Sequence, residues 1–208
     1  MQLKKSETMN KTSIVFAGVG GQGILTAANI LGKAALEANK KALISEVHGM
    51  AQRGGAVECI INIGDVYSAL ICNDSADVLV SLEPVEALRQ LPKIKKDRLV
   101  ITDINPVIPP SVSLGIDTYP DLEDIFKEIQ EKCRLIKIDA LGLAIQSGAR
   151  IAKNMVLLGA LADTGLLPFP PQLLLKTIQQ NLPSRYMAIS EKAFDSGRLF
   201  LKNNNYVE

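Results

Sequence analysis

The sequence predicts an α/β fold: a Rossmann-like, mostly parallel sheet with an inserted β-hairpin and a C-terminal helical extension. Three observations support this prediction. A glycine-rich turn at residues 18–23 lies between a short apolar strand pattern and a long amphipathic helix pattern. Apolar runs of strand length then alternate with helical patterns as far as residue 139, which is typical of a parallel sheet. From residue 140 onward, the patterns are helical.

The first strand and the first helix flank the glycine turn. Residues 14–17 are apolar or small, as in a buried strand, and an eighteen-residue helical pattern with one narrow polar stripe begins at Gln22. Residues 42–47 predict the second strand. Because a strand-helix-strand crossover is almost always right-handed, these two strands are expected to be parallel.

Two extended runs after the second strand predict the inserted hairpin. Residues 56–63 and 66–72 are joined by Gly64 and Asp65, which form a suitable two-residue turn. Side chains alternate along the first run as they do in a half-buried strand. A plain dinucleotide-binding domain has no such hairpin, so this prediction counts against a dehydrogenase.

The remaining elements follow from the same periodicities. Further strands are predicted at residues 77–82, 98–102 and 135–138. Helices are predicted after Pro84, after Asp121 as its cap, at residues 140–147, 150–163 and 172–181, and along the stripe from Tyr186 to Phe200. The proline-rich residues 105–120 predict a loop. Asp103 and Asp139 follow strands, where we expect them to be structural caps.

The domain organisation is predicted to be simple, since 208 residues allow one sizeable core and are marginal for two. Residues 1–11 are predicted to be a disordered polar tail and residues 12–208 a single α/β domain. Within it, residues 12–139 carry the sheet and residues 140–203 are the helical part.

Composition excludes several classes of function. The 23 basic and 22 acidic side chains give a net charge of +1, and aromatic residues are only 4% of the chain. Neither value favours binding to nucleic acid or to an anionic membrane. The apolar run at residues 155–162 is too short to span a bilayer, and the first eleven residues lack the apolar core of a signal peptide. We therefore expect a cytoplasmic protein.

The three cysteines, Cys59, Cys72 and Cys133, are widely spaced and form no C-x-x-C pair. An iron–sulfur or zinc site held by this chain alone is therefore not expected. Buried free thiols in a reducing compartment are the simpler interpretation.

The glycine turn is the first candidate site. Gly18, Gly20 and Gly23 match G-x-G-x-x-G after a strand and at the start of a helix. Main-chain N–H groups in such a turn, together with the positive end of the helix, form an anion site suited to a phosphate. The alternative is a tight turn that binds nothing. The turn is not a P-loop, because Ile24 stands where lysine would be needed.

A second glycine-rich stretch, residues 48–55, leaves the carboxyl end of the second strand, the edge at which parallel sheets bind ligands. It contains His48 and Arg53 among three glycines, and it is unlike an adenine-binding loop. Glu46 ends that strand 23 residues after Gly23, where an acidic residue would hold the ribose of NAD. A stand-alone NAD-dependent dehydrogenase and a non-catalytic binding module both remain open.

Together, residues 18–23 and 45–55 resemble the small, gamma-type component of 2-oxoacid:ferredoxin oxidoreductases, above all the beta subunit of the indolepyruvate branch. The resemblance covers nearly the whole chain and includes Asn154-Met155 and Ala193-Phe194-x-x-Gly197. Pyruvate-type members usually carry a Tyr-Gly-Pro-Glu-Met-Arg-Gly-Gly-like loop at residues 48–55. The different loop here favours the arylpyruvate branch.

The resemblance implies the family's reaction, the oxidative decarboxylation of a 2-oxoacid with coenzyme A to acyl-CoA, carbon dioxide and reduced ferredoxin. Thiamine diphosphate and iron–sulfur clusters are then expected in a large partner subunit, and no cofactor is expected on this chain alone. The chain would cover the active site of the complex, help to receive coenzyme A or the 2-oxoacid, and be inactive by itself.

The resemblance also implies roles for individual residues. The cofactor-binding candidates are the residues of the turn, Gly18, Gly20, Gly21, Gln22 and Gly23. Of these, the four N–H groups of residues 20–23 would bind a phosphate of coenzyme A or another anion. The substrate or partner loop comprises Glu46, Gln52, Gly54 and Gly55.

Two side chains are catalytic candidates. Arg53 would face a carboxylate or a phosphate, which its guanidinium fork matches; the alternative is an ion pair with Glu46 or with the partner. His48 would hydrogen-bond the oxoacid near neutral pH; the alternative is a histidine bonded to the backbone of its own loop.

Overall fold

The computed structural model describes residues 11–49 and 55–204, and within them six strands form one sheet. The strands are β1 (Lys11–Val19), β2 (Ala42–His48), β3 (Ala56–Gly64), β4 (Ala76–Ser81), β5 (Ile94–Asp103) and β6 (Arg134–Ile138). The helices are α1 (Ile24–Glu37), α2 (Pro84–Gln90), α3 (Pro110–Ser113), α4 (Leu122–Lys132), α5 (Ala140–Ser147), α6 (Lys153–Ala162), α7 (Pro171–Asn181) and α8 (Ser184–Asn203). Short 3-10 turns occupy Leu91–Lys93 and Arg150–Ala152.

The sheet has the order β2-β3-β1-β4-β5-β6 and is mostly parallel. β1, β4, β5 and β6 pair in parallel, whereas β3 is antiparallel to both β1 and β2. Because β1 and β2 both oppose β3, they run in the same direction, as the crossover predicts. The predicted α/β fold class with a mostly parallel sheet is confirmed.

The position of the inserted hairpin differs from the prediction. β3 pairs with β2 and β1, and no strand covers residues 66–72 in the described ranges. Since β3 has a neighbour on each side, it has no free edge to which residues 66–72 could pair. The predicted half-buried alternation is also wrong, because residues 58–63 are all buried in the interior of the sheet.

Two apolar layers cover the faces of the sheet. One layer lies between the sheet and α1 with the C-terminal helices, and it contains Phe16, Ile61 and Phe194. The other lies under α2 and α4 and contains Leu79 and Phe126. No helix in the described part of the chain is long and apolar enough to cross a bilayer.

Element boundaries moved by a few residues. β1 begins at Lys11, inside the predicted tail, and residues 1–10 lie outside the described ranges. The predicted loop at residues 105–120 contains the single turn α3. The predicted cap of α4 is confirmed, because the Asp121 carboxylate accepts the Glu123 N–H at 2.8 Å.

The cysteines divide by burial. Cys59 and Cys133 are buried free thiols, as predicted, but Cys72 is exposed because the segment around it is not part of the sheet. Burial, followed by the negative charges of Glu46 and Glu58, raises the pKa of Cys59 to about 12.

Helices α6 and α8 approach one another at the level of their backbones. A Cβ atom on Gly159 would lie 1.9 Å from the Phe194 carbonyl oxygen, and one on Gly197 would lie 1.9 Å from the Val156 carbonyl oxygen. All ten residues of α6 are buried. The contact therefore fixes the position of α6 against the rest of the fold.

We expect Gly159→Ala and Gly197→Ala each to destabilise the chain by about 3 kcal/mol, because the added methyl group forces the helices apart. Urea denaturation measures this change. Leu199→Ala is the matched control, since that side chain lies on α8 but is 57% exposed. If both alanine variants were as stable as the unmodified chain, the backbones of α6 and α8 would not be in contact.

We expect a thiol reagent at pH 8 to modify Cys72 in the folded chain and to leave Cys59 unmodified. The raised pKa keeps Cys59 as the unreactive thiol, and burial excludes the reagent. The retained thiol proton of Cys59 stabilises the folded chain below the ordinary pKa of a thiol. This contribution to stability is lost as the pH rises from there toward 12. Peptide mapping after labelling checks this, and labelling of Cys59 at the rate of Cys72 would contradict it.

Candidate functional site

The glycine turn connects the end of β1 to the start of α1 at the carboxyl edge of the sheet. Gly23 directly precedes α1 and has a left-handed φ of +81°. A Cβ atom there would lie 2.5 Å from the Asn154 side-chain nitrogen. Glycine is therefore required at this position both by the backbone conformation and by the close approach of α6.

Two of the four predicted N–H donors are engaged within the protein. The Gly20 N–H donates to the Gly55 carbonyl at 2.9 Å, and the Gln22 N–H donates to the Val19 carbonyl at 3.2 Å. An anion would therefore be met by Gly21, Gly23 and the first turn of α1. The anion site stays a prediction, and these hydrogen bonds limit it to the remaining donors.

The Gln22 side chain closes the turn. Its Oε1 accepts the Val19 N–H at 2.8 Å, and its Nε2 donates to the Leu82 carbonyl at 3.2 Å. It thus joins the end of β1 to the residue that follows β4. In this arrangement Gln22 supports the turn through its side chain, while its predicted ligand contact remains a prediction.

A cavity of about 720 Å³ lies beside the turn. Its wall is mostly apolar. The wall is formed by the turn, the start of α1, the β2–β3 connection and the starts of α6 and α8. The larger apolar side chains of the wall include those of Leu25, Ile151, Leu182, Tyr186 and Ile189. Its size is in the range of pockets that hold a small organic ligand.

Three helices begin at this cavity. In the described part of the chain, α1, α6 and α8 have neither a side-chain cap nor an acidic residue in the first turn. Carboxylates of Glu83, Asp121 and Asp139 cap α2, α4 and α5, whereas α3 and α7 also lack acidic caps. The positive ends of the three helices at the cavity are therefore not neutralised by acidic caps, and they favour an anionic ligand.

The second glycine-rich stretch meets the first at this edge, as the sequence predicts. His48 is the last residue of β2 and pairs with Val57, which lines the cavity. Gly49 also lines it, and Gly55 accepts the hydrogen bond from Gly20. The predicted site residues Gln52, Arg53 and Gly54 lie outside the described ranges, and His48 is described by its backbone alone.

Glu46 is placed differently from the acidic residue of a dinucleotide-binding domain. It is exposed on β2, in register with Cys59. In a dinucleotide-binding sheet the second strand lies directly beside the first. Here β3 separates them, so β2 is about 5 Å farther from the turn.

Sequence reasoning missed the polar cluster under the turn. Lys153 and Asn154 begin α6, and both are buried beside the fully buried Asp103. The Asp103 carboxylate accepts the Ala140 N–H at 3.0 Å, which confirms its predicted capping role, and it also pairs with Lys153 at 2.9 Å. The only signal in the sequence is two polar residues directly before an apolar helical run. In the described ranges, no group of three His, Cys, Asp or Glu side chains is placed to hold a metal ion.

Comparisons with known proteins agree with this fold. A family model described as pyruvate ferredoxin/flavodoxin oxidoreductase matches residues 13–200. The chain is 45% identical to the indolepyruvate oxidoreductase subunit IorB of Pyrococcus horikoshii, over 91% of this chain and 95% of that protein. It is 30% identical to the pyruvate synthase subunit PorC of Methanothermobacter marburgensis, over 89% of this chain and 93% of that protein.

Solved structures show the same fold at lower identity. Pyruvate oxidoreductase subunit PORC of Thermotoga maritima matches with a TM-score of 0.69 and 24% identity, over 90% of this chain and 95% of that one. A 2-oxoglutarate:ferredoxin oxidoreductase of Magnetococcus marinus matches with a TM-score of 0.72 and 22% identity, over 94% of this chain and 32% of that one. The chain therefore belongs to the pyruvate ferredoxin/flavodoxin oxidoreductase family, as a small subunit of a 2-oxoacid ferredoxin oxidoreductase of the indolepyruvate type.

Proposed function

We propose that the chain acts in a heteromeric enzyme that oxidatively decarboxylates an aryl 2-oxoacid, of which indolepyruvate is the prime candidate. The bond between the carbonyl carbon and the carboxylate breaks to release carbon dioxide, and the acyl group is transferred to the sulfur of coenzyme A. The electrons released pass to ferredoxin. The single observation that carries this proposal is the higher identity to indolepyruvate-type relatives, 45% against 30% for a pyruvate-type relative.

The cofactors of this reaction belong, in our proposal, to a larger partner subunit. Thiamine diphosphate supplies the stabilisation of the carbanion left by decarboxylation, and iron–sulfur clusters carry the electrons. The sequence of this chain carries no C-x-x-C pair, which supports the proposed division between the subunits.

The proposed task of this chain is to receive an anionic group of coenzyme A. A phosphate at the N–H groups of Gly21 and Gly23 would face the positive end of α1. The rest of the cavity is apolar and roomy enough for an uncharged part of the same ligand. Binding here would orient coenzyme A for transfer and keep water away from the junction with the partner.

Two loop residues have proposed roles in the chemistry. Arg53 would form a bidentate contact with a carboxylate or a phosphate, and His48 would hydrogen-bond the oxoacid. The loop starts beside the cavity, since Gly49 lines it, and it ends at Gly55, which is bonded to the glycine turn. This placement supports the proposed role of the loop as the substrate-facing segment.

The glycine turn also supports a second candidate, the NAD-dependent dehydrogenase. G-x-G-x-x-G between a strand and a helix is the pattern of a dinucleotide site. The inserted strand β3 argues against it, because it moves Glu46 one strand away from the turn. Calorimetric titration of the isolated chain with NAD separates the two, since tight binding would favour the dehydrogenase.

We expect co-expression with the gene of the large partner to yield a complex that forms acyl-CoA from indolepyruvate and phenylpyruvate faster than from pyruvate. The isolated chain is expected to form none. Reduction of ferredoxin, followed by its absorbance, and acyl-CoA, measured by mass spectrometry, check this. Full activity of the isolated chain, or of the partner without it, would contradict the proposal.

We expect Arg53→Ala to lower the turnover of the reconstituted complex by about 30-fold or more, because a charge-assisted bidentate contact is lost. The melting temperature is expected to stay within about 2 °C, because a residue that acts only on the ligand does not contribute to the stability of the unliganded chain. Arg98→Ala is the matched control, since Arg98 is half-exposed on β5 and faces Asp77 at the opposite end of the sheet. Equal losses of turnover and stability would make Arg53 an architectural residue.

A further inference from the structure

Two consecutive residues at the start of α6 contact the glycine turn and the residue that follows β4. The Asn154 side-chain nitrogen donates to the Gly23 carbonyl at 3.0 Å, and Lys153 Nζ donates to the Leu82 carbonyl at 2.7 Å. The Leu82 carbonyl also accepts the hydrogen bond from Gln22. The start of α6 therefore bonds the carbonyl at the start of α1 and also the carbonyl to which the Gln22 side chain donates.

Lys153 is fixed by a buried ion pair. Its Nζ lies 2.9 Å from Asp103 Oδ2, and the two residues are 7% and 0% exposed. Asp103 is held in turn by the N–H groups of Ala140 and Leu141. A buried ion pair often stabilises a fold no better than apolar side chains of the same volume. The role that we assign to the ion pair is therefore to fix the position of the start of α6, rather than to stabilise the fold.

The helix that carries these two residues is closely packed. α6 is buried along its whole length and contacts the backbone of α8 at Gly159 and Gly197. The Gly23 carbonyl accepts hydrogen bonds from both Asn154 and the Ala27 N–H, the latter at 3.0 Å. Fixing this carbonyl fixes the peptide plane at the start of α1, and with it the direction of the first N–H groups of the helix.

We propose that Asn154 is a positioning residue, held in place by the Lys153–Asp103 pair, that directs the first N–H groups of α1 at an anion in the cavity. Its amide nitrogen acts on the Gly23 carbonyl, so its effect on the anion passes through the turn. The inference rests on the proposed function in one respect, the identification of that anion as a phosphate of coenzyme A.

The test uses Asn154→Ala and Asn154→Asp in the complex with the large partner. Asn154→Asp has nearly the same volume but replaces the N–H donor by a carboxylate oxygen. Because the carboxylate also repels an anion in the cavity, amide exchange is the readout of the lost hydrogen bond in this variant, and Asn154→Ala is the readout for the KM. For both variants we expect the KM for coenzyme A to rise about tenfold and kcat to stay within about twofold. Hydrogen exchange of the amides at residues 20–26 is expected to become faster.

Asn181→Ala is the matched control. Asn181 lies at the end of α7, where its Nδ2 donates to the Thr177 carbonyl at 2.8 Å and its Oδ1 accepts a hydrogen bond from Lys33 Nζ in the second half of α1. Neither Asn181 nor Lys33 lines the cavity. The control variant is expected to change neither the KM nor the exchange at residues 20–26. The melting temperature of Asn154→Ala should stay within about 4 °C of the unmodified chain, as for the loss of one hydrogen bond.

The outcomes separate this inference from the proposed function. Faster exchange together with a raised KM supports both. Faster exchange with an unchanged KM supports the positioning of the turn and overturns the coenzyme A site. Unchanged exchange at residues 20–26 in both variants overturns the inference, whatever happens to the KM.

Discussion

The pairing of β3 with both β1 and β2 is the constraint on which the candidate site depends. Its register places Ala56 opposite Val19, at the point where β1 ends. The second glycine-rich stretch therefore ends at the first, and Gly55 accepts the hydrogen bond from Gly20. The same pairing moves β2 one strand away from the glycine turn. One antiparallel strand thus both brings the two stretches together and separates this sheet from that of a dinucleotide-binding domain.

The electrostatics of the cavity come mainly from helix ends. Carboxylates cap α2, α4 and α5, whereas α1, α6 and α8 begin at the cavity without acidic caps in the described part of the chain. The buried carboxylate of Asp103, close to the start of α6, is paired with Lys153. A chain with a net charge of +1 can therefore present a locally positive site. Overall composition therefore gives no sign of the anionic ligand that we propose.

Local patterns in the sequence predict the elements well, because the spacing of apolar residues reports directly on burial. They place the six strands of the sheet, the caps Asp121 and Asp139 and the meeting of the two glycine-rich stretches. They fail for residues 66–72, because the turn at Gly64 satisfies a local hairpin rule while strand order depends on distant partners. They also miss Lys153, since a lysine before an apolar helix is usually a solvated residue, and only the tertiary fold brings Asp103 to it.

The side chains that line the described cavity suit the binding of a ligand rather than catalysis. Its polar side chains are those of Thr26, Asn154, Tyr186 and Ser190, so in the described ranges it is lined by no carboxylate, imidazole or ammonium group. Main-chain N–H groups and helix ends can hold and orient an anion, but they do not break a carbon–carbon bond. The anion site that we propose would bind coenzyme A in the same way whichever 2-oxoacid the complex uses. We therefore expect the choice between aryl and small substrates to depend on the loop at residues 48–55, which the resemblance to the indolepyruvate branch singles out, and on the partner that the loop would face.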